Sequence, residues 1–182
     1  FNFNGGVNST ALGTSEFLTG FDLFEDKDQV EVDFLIAPGM TSTIDQTTVV
    51  NDLVATAQQT RKDCVVVSSP ARDDIVNLTS AASINTNVIA TANTFTNSSY
   101  LVMDGNYLKT YDKYNDQFIS IPAASSTAGI MAATDTNRAA WFSPAGSRRG
   151  QYLGITALAY SPNKSQRDAL YRADINPIAN IP

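Results

Sequence analysis

The sequence predicts an α/β domain with a mainly parallel sheet flanked by helices and an added β-hairpin. Three observations carry this. Short apolar runs bounded by turn residues alternate with stretches of helical periodicity, as in βαβ units. Val30–Ala37 begins with alternation and ends fully apolar, Cys64–Ser68 is a short continuous apolar run, as expected of a strand buried on both faces, and Tyr100–Met103 is a third strand-like run. A polar turn at Asp112–Asp116 separates two further strand-like runs, 107–111 and 117–121, which read as a hairpin.

In order along the chain, residues 1–13 are rich in Asn, Gly, Ser and Thr and read as a loop. Ser15–Phe24 reads as a short helix whose apolar face is Phe17, Leu18, Phe21 and Phe24. Val30–Ala37 is the first strand, stopped by Pro38-Gly39. Thr43 and Gln46 match a capping box, and Val50, Leu53, Val54 and Ala57 then recur on one helix face. After the second strand, Ser69-Pro70 is expected to open a long helix buried through Ile75, Leu78, Ala82, Val88 and Ile89. The hairpin leads into a helix of small residues over 123–138, whose Ala, Ser and Gly allow close backbone packing. Trp141–Gly150 is a loop, with Trp141 expected in the core. Tyr152–Tyr160 is a further strand, and Ser165–Tyr171 a helix opened by Ser165 and Asp168. The 182 residues are read as one domain.

The missing chemistry is informative. The chain has no histidine and one cysteine, Cys64. A Ser-His-Asp triad, a Cys-His pair and the usual Cys/His zinc sites therefore cannot be built from these residues. No phosphate-binding glycine motif occurs; Gly146–Gly150 is only a flexible basic loop. The acidic run Asp22–Asp33 fails the calcium-loop pattern, since the sixth position counted from Asp26 is Glu31, not glycine. No cofactor and no metal are expected, and an α/β hydrolase-like enzyme is the weaker reading because neither a base nor a ligand loop is found. There is no apolar run long enough for a membrane helix.

Net charge is −6, which argues against nucleic acid as a partner. Its distribution says more. Residues 1–60 carry nine acidic side chains and one basic, whereas residues 138–182 carry two acidic and six basic. Either the two ends neutralise each other within the molecule, or opposite patches on different faces favour head-to-tail association.

The segment Trp141-Phe142-Ser143-Pro144-Ala145-Gly146-Ser147-Arg148-Arg149-Gly150 is followed by Arg167-Asp168-Ala169-Leu170-Tyr171 and then Ile175-Asn176-Pro177-Ile178. With Gly20–Asp26 leading into Val32–Ala37 upstream, this order resembles the contractile tail sheath proteins of tailed bacteriophages of the T4 type. The resemblance implies the central, subtilisin-like domain of a longer subunit, without its further domain and C-terminal arm. It implies a structural role without enzymatic activity: six-membered rings of sheath subunits stacked around a tail tube, bounded by baseplate and tail terminator, in the virion tail after assembly in the host cytoplasm. On contraction the tube is driven through the host envelope, with no direct membrane insertion by the sheath. A sheath of a related injection or secretion system is the alternative. Contraction re-registers near-rigid subunits, which charge pairs tolerate better than large apolar contacts. Arg148, Arg149, Arg167 and Arg172 are accordingly expected to face Glu25, Asp26 and Asp28 across subunits, with pairing inside one subunit as the competing expectation.

Overall fold

A computed structural model describes residues 12–180; the expected loop over 1–13 lies almost wholly outside them. Three parallel strands, β1 (Phe34–Ile36), β2 (Val65–Ser68) and β3 (Leu101–Met103), form a sheet in that order. Parallel neighbours need crossover connections, and here helices supply them. The first is α2 (Thr43–Ala55), which runs on into a π-helical turn over Thr56–Arg61; the second is α3 (Ala81–Ala92). A bridge between Asp104 and Asn176 extends the sheet beyond β3.

Strand side chains alternate between the two faces. Leu35, Val66 and Met103 enter the main core with Val49, Val50, Leu53 and Val54 of α2 and Ile84 and Val88 of α3. Helix α1 (Thr14–Asp22) joins this side through Phe17, Leu18 and Phe21, and α5 (Lys164–Arg172) through Leu170. Phe34, Val67 and Val102 point the other way. There they meet Ala124, Ala128 and Met131 of α4 (Ala123–Asn137), whose small residues let the helix lie close to the strands. The sheet is therefore covered on both faces, which explains its continuously apolar strands.

The expected hairpin is present as β4 (Tyr107–Asp112) and β5 (Gln117–Pro122), paired antiparallel from Tyr107↔Pro122 to Asp112↔Gln117. It belongs to a second sheet in which the two-residue β6 (Ala157–Leu158) pairs with the other edge of β4. Asn106, fully buried, ties this sheet to the C-terminal segment. Its side-chain amide donates to the carbonyls of Tyr160 (2.9 Å) and Ile178 (3.2 Å), and its oxygen accepts from Tyr107 N–H.

Several local expectations need correction. The first strand starts only at Phe34, because β2 begins at Val65 and the Val30 carbonyl is used by the Arg61 guanidinium instead. Ser42, not Thr43, caps α2, its Oγ accepting from Asp45 N–H at 3.2 Å. Gln46 is freed from capping and buried, accepting from Met40 N–H (2.8 Å) and donating to Ser69 O (3.0 Å). No helix opens at Ser69-Pro70. Ser69 is committed to Gln46 and, through its Oγ, to the first turn of α4 at Ala124 N–H. A short 3-10 turn (Arg72–Asp74) and Asn77 at φ 70° intervene before Ser80 caps α3. The strand expected over 152–160 shrinks to β6, since Gly154 turns the chain at φ 73°. Helix α5 is opened by Asn163 and Gln166, which form a reciprocal capping box, rather than by Ser165 and Asp168.

Asp104 follows β3 and is 1% exposed. Its Oδ1 accepts from Asn176 Nδ2 at 3.3 Å, and its Oδ2 has no hydrogen-bond partner. Burial raises its pKa to about 6, with the Asn176 amide pulling the other way. A carboxyl whose folded pKa lies above its unfolded value binds more protons in the native state, so its contribution falls as pH rises between about 4 and about 6. Asp104→Asn is expected to remove that slope, worth up to about 3 kcal/mol. Urea midpoints of both proteins at pH 4, 5, 6 and 7 measure it; parallel curves for the two proteins would refute it.

Candidate subunit interface

The seven charged residues singled out from the sequence fall at three places. Glu25, Asp26 and Asp28 lie on the exposed turn after α1, where Asp26 Oδ1 accepts from Asp28 N–H at 2.9 Å. Arg148 and Arg149 are exposed on the long loop after α4. Arg167 and Arg172 lie on α5, on the α2–α3 side of the sheet, away from the other two arginines. Arg167 is half-buried and donates to Pro162 O at 3.0 Å, so part of its hydrogen-bonding capacity is used within its own loop. The structure thus splits the four arginines into two groups.

Direct ion pairing within the molecule does not involve these seven residues: among the described residues the single ion pair joins Arg61 and Asp63, at 3.0 Å.

Sequence reasoning passed over Arg61, yet it organises the acidic turn. The π-helical turn carries its side chain inward, and Lys62 then ends the helix in the left-handed region at φ 64°. The Arg61 side chain is fully buried. One Nη donates to Phe24 O (2.6 Å), the other to Val30 O (2.9 Å), and Nε and Nη2 grip the Asp63 carboxylate. Hydrogen bonding to Arg61 lowers the Asp63 pKa, and the same contact raises that of Arg61 against the cost of burial. The acidic turn is therefore pinned at both ends to the π-helical turn that follows α2.

The loop after α4 is shaped by its glycines. Gly146 has φ 108°, and Gly150 N–H donates to Gly146 O at 2.8 Å. A Cβ on Gly150 would come within about 3.1 Å of three backbone atoms of Pro144 and Gly146. The glycine spacing of the Trp141–Gly150 segment thus has a steric cause. Trp141 is 82% exposed, contrary to its expected place in the core. The flanking loop residues 145–149 are exposed as well, so no packed layer surrounds the Trp141 ring. Its indole is tilted against Phe142, and the Arg149 guanidinium stacks over the Phe142 ring at 4.5 Å. Between this loop and α4 lies a groove of about 420 Å³ lined by Gly129, Ile130, Ala133, Arg138, Arg149 and Leu153.

The phage tail sheath protein central domain model matches residues 9–181. The chain belongs to the tail sheath family. Within that family it is 35% identical over 96% of its length to the tail sheath protein of Enterobacteria phage T4, and 35% over its whole length to that of Vibrio phage KVP40. It spans 28% and 29% of those relatives' lengths. Its fold matches the anti-feeding prophage helical sheath in the contracted state, with a TM-score of 0.64 at 18% identity, over 96% of this chain and 42% of that one. A chain of the anti-feeding prophage baseplate matches with a TM-score of 0.62 at 19% identity, over 91% and 38%. Among the described residues no cluster of His, Cys, Asp or Glu is suited to a metal ion, and no helix is long and apolar enough to cross a membrane.

Proposed function

We propose that these 182 residues act as one unit, the central α/β domain of a contractile tail sheath subunit. The subunit polymerises with its own kind in hexameric rings around a tail tube, between baseplate and tail terminator. It is assembled in the host cytoplasm and works in the virion. Contraction drives the tube through the host envelope. The domain's role is structural, without catalysis or cofactor. The 35% identity to phage tail sheath proteins across almost the whole chain carries this reading, and it favours a phage sheath over a secretion-system sheath.

The charge layout supports a head-to-tail contact. The acidic turn and the Arg148–Arg149 loop are both exposed and do not pair within the molecule. Exposed charge pairs contribute little singly, so partners can be exchanged at modest cost while subunits re-register. Arg167 and Arg172, on the other side of the sheet, serve a different contact with a neighbour's acidic turn, with Arg172 the freer of the two.

The test is the double variant Arg148→Glu/Arg149→Glu in the intact subunit. Sheath tubes seen by negative stain are expected to be lost, and to return when Glu25→Lys/Asp26→Lys is added. Tubes of the reversed variant that form and contract like wild type would sink the charge-pair proposal.

A further inference from the structure

The geometry points to one particular docking, in which the Leu23–Phe24 corner of one subunit seats in the groove between α4 and the Trp141–Leu153 loop of a second copy. It rests on the head-to-tail reading above and names the surfaces which that reading leaves open.

The groove asks for an apolar occupant with negative flanks. Ile130, Ala133 and Leu153 give it an apolar wall, Arg138 and Arg149 line the same space, and polar side chains such as Asn137 complete the lining. Leu153 is 88% exposed. The small residues of α4 leave the helix backbone approachable.

One exposed feature of the same chain has the matching chemistry. Leu23 is 74% exposed and Phe24 38%, directly after α1. Asp22, Glu25, Asp26 and Asp28 surround them in sequence, with Lys27 the sole cation of the run. The corner is also pre-shaped. Phe24 N–H donates to Phe21 O (2.9 Å), Glu25 N–H donates to Asp22 O (3.2 Å), and the Phe24 carbonyl accepts from Arg61 at 2.6 Å. A corner held in one shape loses little freedom on docking. Two other exposed apolar side chains have fewer acidic neighbours in sequence: Ile44 (79%) adjoins Asp45, and Tyr114 (86%) lies between Asp112 and Asp116 with the Lys113 ammonium over its ring.

The corner does not fill the groove of its own chain. Helix α1 packs on the α2 side of the sheet, and α4 covers the opposite face. Two complementary patches on opposite faces make a heterologous contact, which each added copy repeats. An open-ended polymer is the natural product of such a pair.

Cysteine pairing tests this directly in tubes of the intact subunit. Cys64 is the only cysteine of the chain and is buried, so it contributes no competing cross-link here. Leu23→Cys is combined with Ala133→Cys or, separately, with Leu153→Cys, and the tubes are mildly oxidised. A disulfide needs Cα atoms within roughly 7 Å. A ladder of dimers, trimers and higher species on a non-reducing gel, absent from each single variant, is the expected result. Tubes that give no ladder with either pair overturn the docking, as does a cross-link confined to monomers. If charge reversal at Arg148 and Arg149 still abolishes tubes in that case, only the docking fails; if charge reversal is also silent, the head-to-tail reading fails with it. Should the cysteine pairs themselves block assembly, Leu23→Ala and Leu23→Met decide. Tubes lost with alanine and kept with methionine support the apolar seat, and equal tubes from both overturn it.

Discussion

Arg61→Ala is expected to destabilise the 182-residue chain by about 2–4 kcal/mol, chiefly through two lost charge-assisted hydrogen bonds to backbone carbonyls, since Asp63 is 41% exposed. The side chain is buried and satisfies two backbone carbonyls and a carboxylate at once. Truncation leaves the carbonyls of Phe24 and Val30 without their donor, and leaves Asp63 without its counter-charge. Arg61→Lys is expected to recover only a fraction, because one ammonium cannot reproduce a planar fork serving three acceptors. Urea denaturation gives the stability change. Hydrogen exchange at residues 24–30 gives the second readout: protection there is expected to fall before that of the sheet. A loss below about 1 kcal/mol, with protection of that turn unchanged, would show that Arg61 does not hold it. Because the turn carries Glu25, Asp26 and Asp28, the same variant is also expected to weaken sheath assembly in the intact subunit.

Tyr107→Ala is the second. Tyr107 begins β4, in the hairpin sheet, yet its ring is 1% exposed in the main core and its hydroxyl donates to Pro70 O at 3.0 Å. It joins the two sheets. Removing the ring is expected to cost about 3–5 kcal/mol, the usual range for a large aromatic truncated in a core. Tyr107→Phe removes only the hydroxyl and is expected to cost about 1 kcal/mol. Gly39 supplies an internal check, since a Cβ there would lie 2.6 Å from the Tyr107 Oη and 3.2 Å from Pro122. Gly39→Ala is expected to cost about 1–3 kcal/mol through overpacking. Combined with Tyr107→Phe it is expected to cost less than the sum, because loss of the hydroxyl vacates the contested space. Additive effects in the double variant would show that the two residues do not meet.

Much of the fold was legible because it depends on local pattern. The strand-like runs at 30–37, 64–68 and 100–103 each contain a strand of the sheet, and the helix face Val50–Ala57 and the turn at 112–116 lie where the pattern put them. Errors gathered where one residue serves a distant element. Ser69 looks like a helix start, but it receives Gln46 and caps α4, which are 23 and 55 residues away. Val30 looks like strand, but its carbonyl belongs to Arg61. Gln46 fits a cap by spacing and instead satisfies buried backbone groups between α2 and β2. Such polar commitments leave no periodic trace. The candidate site was legible only as charge: its acidic and basic residues could be named, but Arg61 carried no signal and Trp141 read as a core aromatic.

The chain's own sequence determined the α/β class, the charge asymmetry between its ends, the impossibility of histidine chemistry, and a motif order shared with tail sheath proteins. Those properties are additive along the chain and survive without coordinates. Only the tertiary structure decided that the acidic turn and the α4 groove lie on opposite sides of one sheet, unpaired within the molecule. That decision rests on which face each strand residue turns to which helix, a matter of packing between segments a hundred residues apart.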